Sequence, residues 1–336
     1  MFSYYYECFV CLQYNRKQTE TNMKTKGFMA AALLLMQTGL VIAQKADTVR
    51  ARVSYTFSIV EDTKKPDSTR EEQMVLLLGK NASLYTSLDK VMEGERKKKE
   101  MEEFAKKMEL GSVTNIKMTP GKRTTANDIY LFKNEKKMFI KQRLMNNYLT
   151  EEASPMIDWQ LSNDTLTISG LKCQKATCHF KGRDYDVWYS PEIPFNSGPW
   201  KLNGLPGLIV QAIDSKKEVM FKFDGFESVK ASGSSPQPNP NKPSAGMSGQ
   251  IMVIGGYDGT NVITAGLIEL PKDAIKTTAK ELDNLREAMR KDPSGFVNSS
   301  LAGVSGDVKM VVRGSSSFSP ATPVKKINTI ELPETK

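Results

Sequence analysis

Two aspartates in the segment RDYDVWYS, Asp184 and Asp186, have a spacing that suits acid–base chemistry. In a strand, positions i and i+2 share one face and lie about 7 Å apart. Inverting glycosidases separate their acid and base by a similar distance, which leaves room for a water molecule. Acidic residues that alternate along a solvated strand are much more common. A carboxylate-dependent hydrolase using Asp184, Asp186 or Glu192 is therefore the alternative hypothesis and not the leading one.

The sequence after residue 22 contains a single histidine, His179, and two cysteines, Cys173 and Cys178. Cys178 and His179 are direct neighbours, so in a strand they would face opposite ways, and Cys173 would lie about 20 Å from His179. One histidine excludes multi-histidine metal sites, and no GxSxG, HExxH, P-loop or GxGxxG string occurs. We therefore predict no catalytic residue, no metal site and no cofactor.

Trp188 is the residue that most favours a binding role. Tyr185, Val187 and Tyr189 would share an apolar strand face, which puts Trp188 on the opposite face with the two aspartates. A tryptophan on a polar face is expected to be covered. The cover is either the following loop, SPEIPFNSGPWKLNGLPG, or a ligand, or both. We predict a ligand site formed by Asp186, Trp188, Tyr189 and Trp200.

The stretch SGPWKLNGLPGLIVQA, residues 197–212, predicts a rigid corner. Prolines such as Pro194 and Pro199 fix φ and extend the preceding residue. Asn203-Gly204 suits a tight reverse turn, and Leu205-Pro206-Gly207-Leu208 fits a type II turn. The corner would bring one strand back beside another, with Trp200 filling the space above it.

The elements that position these residues are mainly strands. VRARVSYTFSIV (49–60) and EVMFKFDGFE alternate apolar and polar residues, and MVLLLGKNASLYTSL (74–88) predicts a hairpin around Gly79-Lys80-Asn81. About ten strands precede residue 228, with no helix between successive strands after the first helix. We predict a mainly β fold with one strongly curved or partly closed antiparallel sheet.

Two helices interrupt the strand pattern. Residues 89–110 predict an inserted amphipathic helix in which Met101, Phe104, Ala105 and Met108 share one face. A helix from about Asp273 to Arg290 follows a hairpin expected around YDGT. The run Arg96-Lys97-Lys98-Lys99 is interleaved with acids, so we interpret it as a solvated helix face. The net charge of +9 therefore does not indicate a nucleic-acid partner.

The amino end resembles an export signal. MKTKGFMAAALLLMQTGLVIAQ has a basic start and an apolar core too short to span a bilayer well, and no second apolar segment follows. Met23 stands where an initiator belongs, so Cys8 and Cys11 would lie in a mis-assigned extension. We predict an extension over 1–22, a signal peptide over 23–43, a curved β domain over 44–230, a Pro/Ser/Gly-rich loop over 231–250, and a hairpin, helix and tail over 251–336 that complete the same domain. The mature chain would be exported, without a transmembrane segment.

Export would permit disulfides, and Cys173 and Cys178 are the two candidates. On one straight strand they would lie about 16 Å apart on opposite faces, whereas a disulfide needs Cα atoms within about 7 Å. An internal bridge would therefore require a turn in this segment. The alternatives are free thiols and bridges to other residues.

The motif residues resemble the GLPGLI family of exported Bacteroidota proteins. Gly204-Leu205-Pro206-Gly207-Leu208-Ile209 matches its naming string, and CQKAT (173–177), Trp188-Tyr189 and Ile330-Glu331-Leu332 follow the same pattern. The structural motif also includes Gly182, Arg183, Pro194, Gly198 and Pro199. The resemblance covers most of 49–332 and implies an exported, mostly β protein with no established activity.

Our leading hypothesis is a non-enzymatic binding or accessory protein of the periplasm, the outer membrane or the cell exterior. Its partner would be a lipid, a peptide or an outer-membrane protein held on the concave face of the sheet. A purely structural envelope component is a further alternative to the hydrolase.

Overall fold

The computed structural model describes residues 46–109, 121–144, 146–229, 266–293, 295–296 and 328–334. The predicted extension over 1–22, the signal peptide over 23–43, the loop over 231–250 and the turn expected at YDGT lie outside these residues. Those expectations therefore stay predictions.

Strands dominate the described residues, as the alternating sequence predicts. They are β1 Asp47–Thr48, β2 Ala51–Val60, β3 Thr69–Leu78, β4 Ala82–Ser87, β5 Asp128–Phe132, β6 Lys137–Arg143, β7 Asn147–Ala153, β8 Gln160–Ile168, β9 Leu171–Phe180, β10 Arg183–Ser190, β11 Leu208–Asp214, β12 Val219–Ser228, β13 Leu267–Ile268 and β14 Ile275–Thr277. The hairpin predicted around residues 79–81 is the connection between β3 and β4.

Twelve of these strands form one open sheet in the order β14-β7-β6-β5-β4-β3-β2-β12-β11-β10-β9-β8, and β1 pairs separately with β13. The mainly β fold is confirmed. The sheet is not fully antiparallel, however, because β14 runs parallel to β7. A parallel pair needs a long connection, and β14 follows β7 only after β8–β12 have been added to the sheet. Local alternation carries no information about such a distant pairing.

The two faces of the sheet differ in character. The pairing register places Phe57, Phe221, Ala212, Val187 and Ala176 in one cross-strand row on what we call the inner face. All five are buried. The next row, on the outer face, is polar apart from Trp188. This difference follows from the period of two along each strand.

The sheet curves so that strands from both halves share one core. The inner-face cluster contains Tyr55 on β2 and Tyr185 on β10, and also Ile129 on β5 and Met138 on β6. Side chains from the β10–β11 loop complete this cluster. A second cluster, with Leu77, Tyr130 and Phe139, covers the other face of β3–β7. The central parts of β3–β6 are therefore buried on both faces.

Among the residues that the structure describes, two helices flank the sheet. Helix α1, Leu88–Glu109, packs against β3 and confirms the inserted helix; the side chains of Met101, Phe104, Ala105 and Met108 are outside the description. Helix α2, Ala279–Lys291, begins later than predicted because Thr278 forms an N-terminal capping box with Glu281. Within the described part of the chain, neither helix combines the length and apolar character needed to cross a membrane.

Candidate functional site

The motif loop, residues 191–207 between β10 and β11, lies on the inner face of the sheet. Leu208 N–H donates to the Ile193 carbonyl at 3.1 Å, and Ile209 N–H donates to the Ser197 carbonyl at 3.0 Å. The loop is thereby tied to the start of the strand that follows it. The predicted rigid corner is present, and it fills the inside of the curved sheet.

Two glycines of the motif loop, Gly198 and Gly207, lie so close to neighbouring atoms that a Cβ would not fit. A Cβ on Gly207 would lie 2.3 Å from the Ser190 carbonyl oxygen, and a Cβ on Gly198 would lie 2.6 Å from Ile209 Cδ1. Gly207 N–H donates to the Leu205 carbonyl at 2.8 Å. This bond closes a three-residue turn, so the predicted type II turn is wrong. The string GLPGL thus lets the loop backbone contact the end of β10.

Trp200 is part of the core and not of an open site. Its ring stacks on Phe221 at 6.3 Å and lies 5.5 Å from the ring of Phe180. Its φ of 55° lies in the left-handed region, which costs a bulky residue about 1–3 kcal/mol. Burying an indole removes about 150–250 Å² from water, worth roughly 4–6 kcal/mol. Packing therefore outweighs the backbone strain.

Tyr189 is also buried, with 1% of its surface exposed, and its hydroxyl donates to Gln174 Oε1 at 2.8 Å. The space left beneath the loop near Tyr85 and Ser197 has a volume of about 10 Å³, enough for about one water molecule. The concave face is therefore occupied by the protein's own loop. Tyr189 and Trp200 lie inside the core, away from Trp188 and Asp186.

Trp188 lies on the outer face, opposite the motif loop. Its cross-strand partners are Lys175 on β9 and Gln211 on β11, and Asp186 lies two positions earlier on its own strand. We call these four residues the outer platform. Trp188 is partly exposed, and its indole makes no hydrogen bond or ring contact among the described residues. The loop expected to cover Trp188 packs on the other side of the sheet.

The predicted carboxylates are solvated, and Asp184 and Asp186 are each paired with a basic side chain. Asp184 and Asp186 have 71% and 58% of their side-chain surface exposed. Asp184 Oδ1 contacts His179 Nδ1 at 2.6 Å, and Asp186 Oδ1 contacts Lys175 Nζ at 3.3 Å. Glu192 is exposed as well. The desolvated, converging carboxylates that a hydrolase of this kind needs are not formed by these three residues.

His179 has one carboxylate on each ring nitrogen, with Glu334 Oε2 at 3.0 Å from Nε2. Hydrogen bonds to the carboxylates of Asp184 and then Glu334 raise the pKa of the imidazole. The depression beside it, with a volume of about 290 Å³, is open to solvent and includes Gln160, Thr177 and Ser215. Within the described ranges, no group of three or more His, Cys, Asp or Glu side chains is arranged to hold a metal ion.

The two cysteines lie on one continuous strand, β9, and both are free and buried. The turn that an internal bridge would require is therefore absent from this segment. Burial raises the pKa of the Cys178 thiol to about 12 and also raises that of Cys173. Neither thiol is activated as a nucleophile.

The Gly182-Arg183 motif binds a segment that is distant in sequence, residues 328–334. Arg183 Nε donates to the Ile330 carbonyl at 3.0 Å, and Nη2 donates to the Thr329 carbonyl and to Asn328 Oδ1, each at 2.7 Å. A Cβ on Gly182 would lie 2.7 Å from the Leu332 carbonyl oxygen. The sequence motif at 182–183 and the one at 330–332 therefore form one structural unit.

The remaining donors of Arg183 face acids inside the protein. Nη1 lies 2.7 Å from Asp214 Oδ2 and 2.9 Å from Glu218 Oε2. Lys201, also buried, pairs with Glu331 at 2.8 Å and with Glu152 at 3.0 Å. The sequence pattern predicts Arg183 as a motif residue but indicates none of these partners. A charged residue next to a turn glycine was the only available signal.

Comparison with known proteins adds little about chemistry. A family model described as "Protein of unknown function (Porph_ging)" matches residues 181–211, the stretch from the Gly182-Arg183 turn into β11. No curated protein matches. Two structures of PNGF-II, in the P21 and C2 space groups, are each 10% identical in sequence, with TM-scores of 0.37 and 0.41. They cover 55% and 70% of this chain, which spans only 29% and 32% of theirs. The chain is thus similar over its motif to a family of unknown function, and the GLPGLI name stays a prediction.

Proposed function

We propose that this chain is an exported, non-enzymatic binding protein whose ligand contacts the outer platform. The observation that carries the proposal is the position of Trp188. It is partly exposed on a polar sheet face, and the loop that could have covered it packs on the opposite face. Large aromatic side chains left exposed among polar residues are frequent anchors of binding sites.

The proposal changes the role of two predicted site residues. Tyr189 and Trp200 hold the motif loop within the core, and Trp188 and Asp186 remain as ligand contacts. A lipid carried within the concave face is disfavoured because the motif loop occupies that face. The predicted location, in the periplasm, at the outer membrane or outside the cell, is retained as part of the proposal.

The test compares the wild-type protein with Trp188→Ala and a matched control, Leu161→Ala. Leu161 is 57% exposed and pairs with Ala176, so it faces the other way from Trp188. The proteins, purified gently from the periplasm or medium, are examined by native mass spectrometry for retained molecules. We expect the retained mass to be lost only in Trp188→Ala, with unchanged urea denaturation.

Two results would contradict the proposal. One is failure of Trp188→Ala to fold, which would make the indole a structural residue. The other is equal retention of the same mass by all three proteins, which would put the ligand elsewhere.

A further inference from the structure

The outer platform is formed by the pleated surface of three adjacent strands, on the side of the sheet opposite the motif loop. Neighbouring strands lie about 4.8 Å apart, so Lys175 and Gln211 flank Trp188 at that distance on either side. All three belong to strands that are paired on both edges within the sheet. The register shifts beside Trp188 and opposite Lys175, but each of these strands still has a neighbour on both sides. The platform is therefore not a free sheet edge, and it presents mainly side chains to a ligand.

This geometry disfavours two of the predicted ligand classes. A lipid chain needs an enclosed apolar pocket that buries most of its surface. A peptide that adds as a strand needs an exposed sheet edge. The platform is neither an enclosed pocket nor a sheet edge. It lies on an open face of the sheet, on strands that have neighbours on both sides.

The charges of the platform offset each other. Lys175 Nζ and Asp186 Oδ1 lie 3.3 Å apart, and Gln211 is neutral. Lys222 follows Gln211 one strand further on, about 10 Å from Trp188. The surface around the indole thus offers both donors and acceptors with little net charge, which suits a neutral polar ligand.

Among neutral polar ligands, a sugar ring carries the groups that this surface can bind. One face of a pyranose carries C–H groups, which are attracted to the negative face of an indole. Its hydroxyls both donate and accept, and would match the Gln211 amide, the Asp186 carboxylate, the Lys175 ammonium and the indole N–H. Resting on the function proposed above, we propose that the outer platform binds a neutral saccharide by stacking a ring on Trp188.

The test uses defined oligosaccharides and the full chain. Binding of cellohexaose, maltohexaose, chitohexaose and mannohexaose is measured by titration calorimetry with wild type, Trp188→Ala, Trp188→Phe and the control Leu161→Ala. We expect at least one sugar to bind, with affinity reduced about tenfold or more by Trp188→Ala. Trp188→Phe should recover part of the loss, and raised salt should leave the affinity nearly unchanged because the ligand is neutral.

Other outcomes would overturn this inference in distinguishable ways. If Trp188-dependent binding is found only with vesicles of phosphatidylethanolamine and phosphatidylglycerol, or only with a protein or peptide, the saccharide is wrong and the proposed function stands. If a sugar binds equally well to Trp188→Ala, the site is wrong. If neither sugars nor the molecules retained from the periplasm depend on Trp188, both proposals fail.

Discussion

Replacing Arg183 with methionine keeps an unbranched side chain of similar size and removes five hydrogen-bond donors. The guanidinium is buried, with 2% of its side-chain surface exposed, and Asp214 beside it has 1% exposed. After the substitution, Asp214 would be a buried carboxylate that still accepts from Val219 N–H but lacks its cation. The carbonyls of Thr329 and Ile330 would lose their donors as well.

The size of the effect follows from this burial. Removing one partner of a buried ion pair typically costs about 3–5 kcal/mol, because the other charge stays uncompensated. The two carbonyls add less, since the 328–334 segment can detach and expose them to water. We expect a loss of about 3–5 kcal/mol, which is a large part of the 5–15 kcal/mol that stabilises a typical domain.

Urea denaturation followed by tryptophan fluorescence measures this change. The matched control is Arg290→Met on α2, where the arginine is 57% exposed and the expected change is under about 0.5 kcal/mol. Adding Asp214→Asn to Arg183→Met should recover part of the loss, because the unpaired charge is then removed. A loss below about 1 kcal/mol for Arg183→Met would refute the reasoning, as would further destabilisation by the second substitution.

Three further results are expected. Gly207→Ala should destabilise by about 1–3 kcal/mol or more because its Cβ would meet backbone, whereas Gly225→Ala meets open space and should be nearly neutral; equal denaturation midpoints would contradict this account. The pKa of His179 is raised, so its NMR titration midpoint should exceed the ordinary value of about 6.5 and should fall in Asp184→Asn. The contribution of His179 protonation to the free energy of unfolding is fully present below the unfolded-state pKa and is lost as pH rises through the folded-state pKa. A stability that increased over that pH interval would contradict this prediction. Cys178, with a pKa of about 12 in the fold, should react with iodoacetamide at neutral pH only after unfolding, as peptide mapping would show.

Local patterns predicted much of the sheet. Alternation in 49–60 indicated β2, and the Gly79-Lys80-Asn81 turn separated β3 from β4 as expected. Both features depend on residues that are close in sequence, where a period of two or a turn residue carries the information. The fold class followed from these repeated short-range signals.

The arrangement of the candidate site was only partly predictable. Alternation correctly separated Trp188 from the apolar face of Val187, yet it could not say on which face the following loop would pack. That choice depends on strands β3–β7, which line the other half of the inner face. The same limit applies to Arg183, whose partners are acids and carbonyls supplied by β11, β12 and the 328–334 segment.

The contact between Arg183 and Asn328 also sets a delay during synthesis. The two residues are separated by 145 positions, and at about 5–20 residues per second the ribosome needs roughly 7–29 s to add the second after the first. Throughout that interval the guanidinium at the β9–β10 turn lacks at least three of its five acceptors, those supplied by Asn328, Thr329 and Ile330. The corner around this turn therefore reaches its final structure only after almost all of the described fold has been translated.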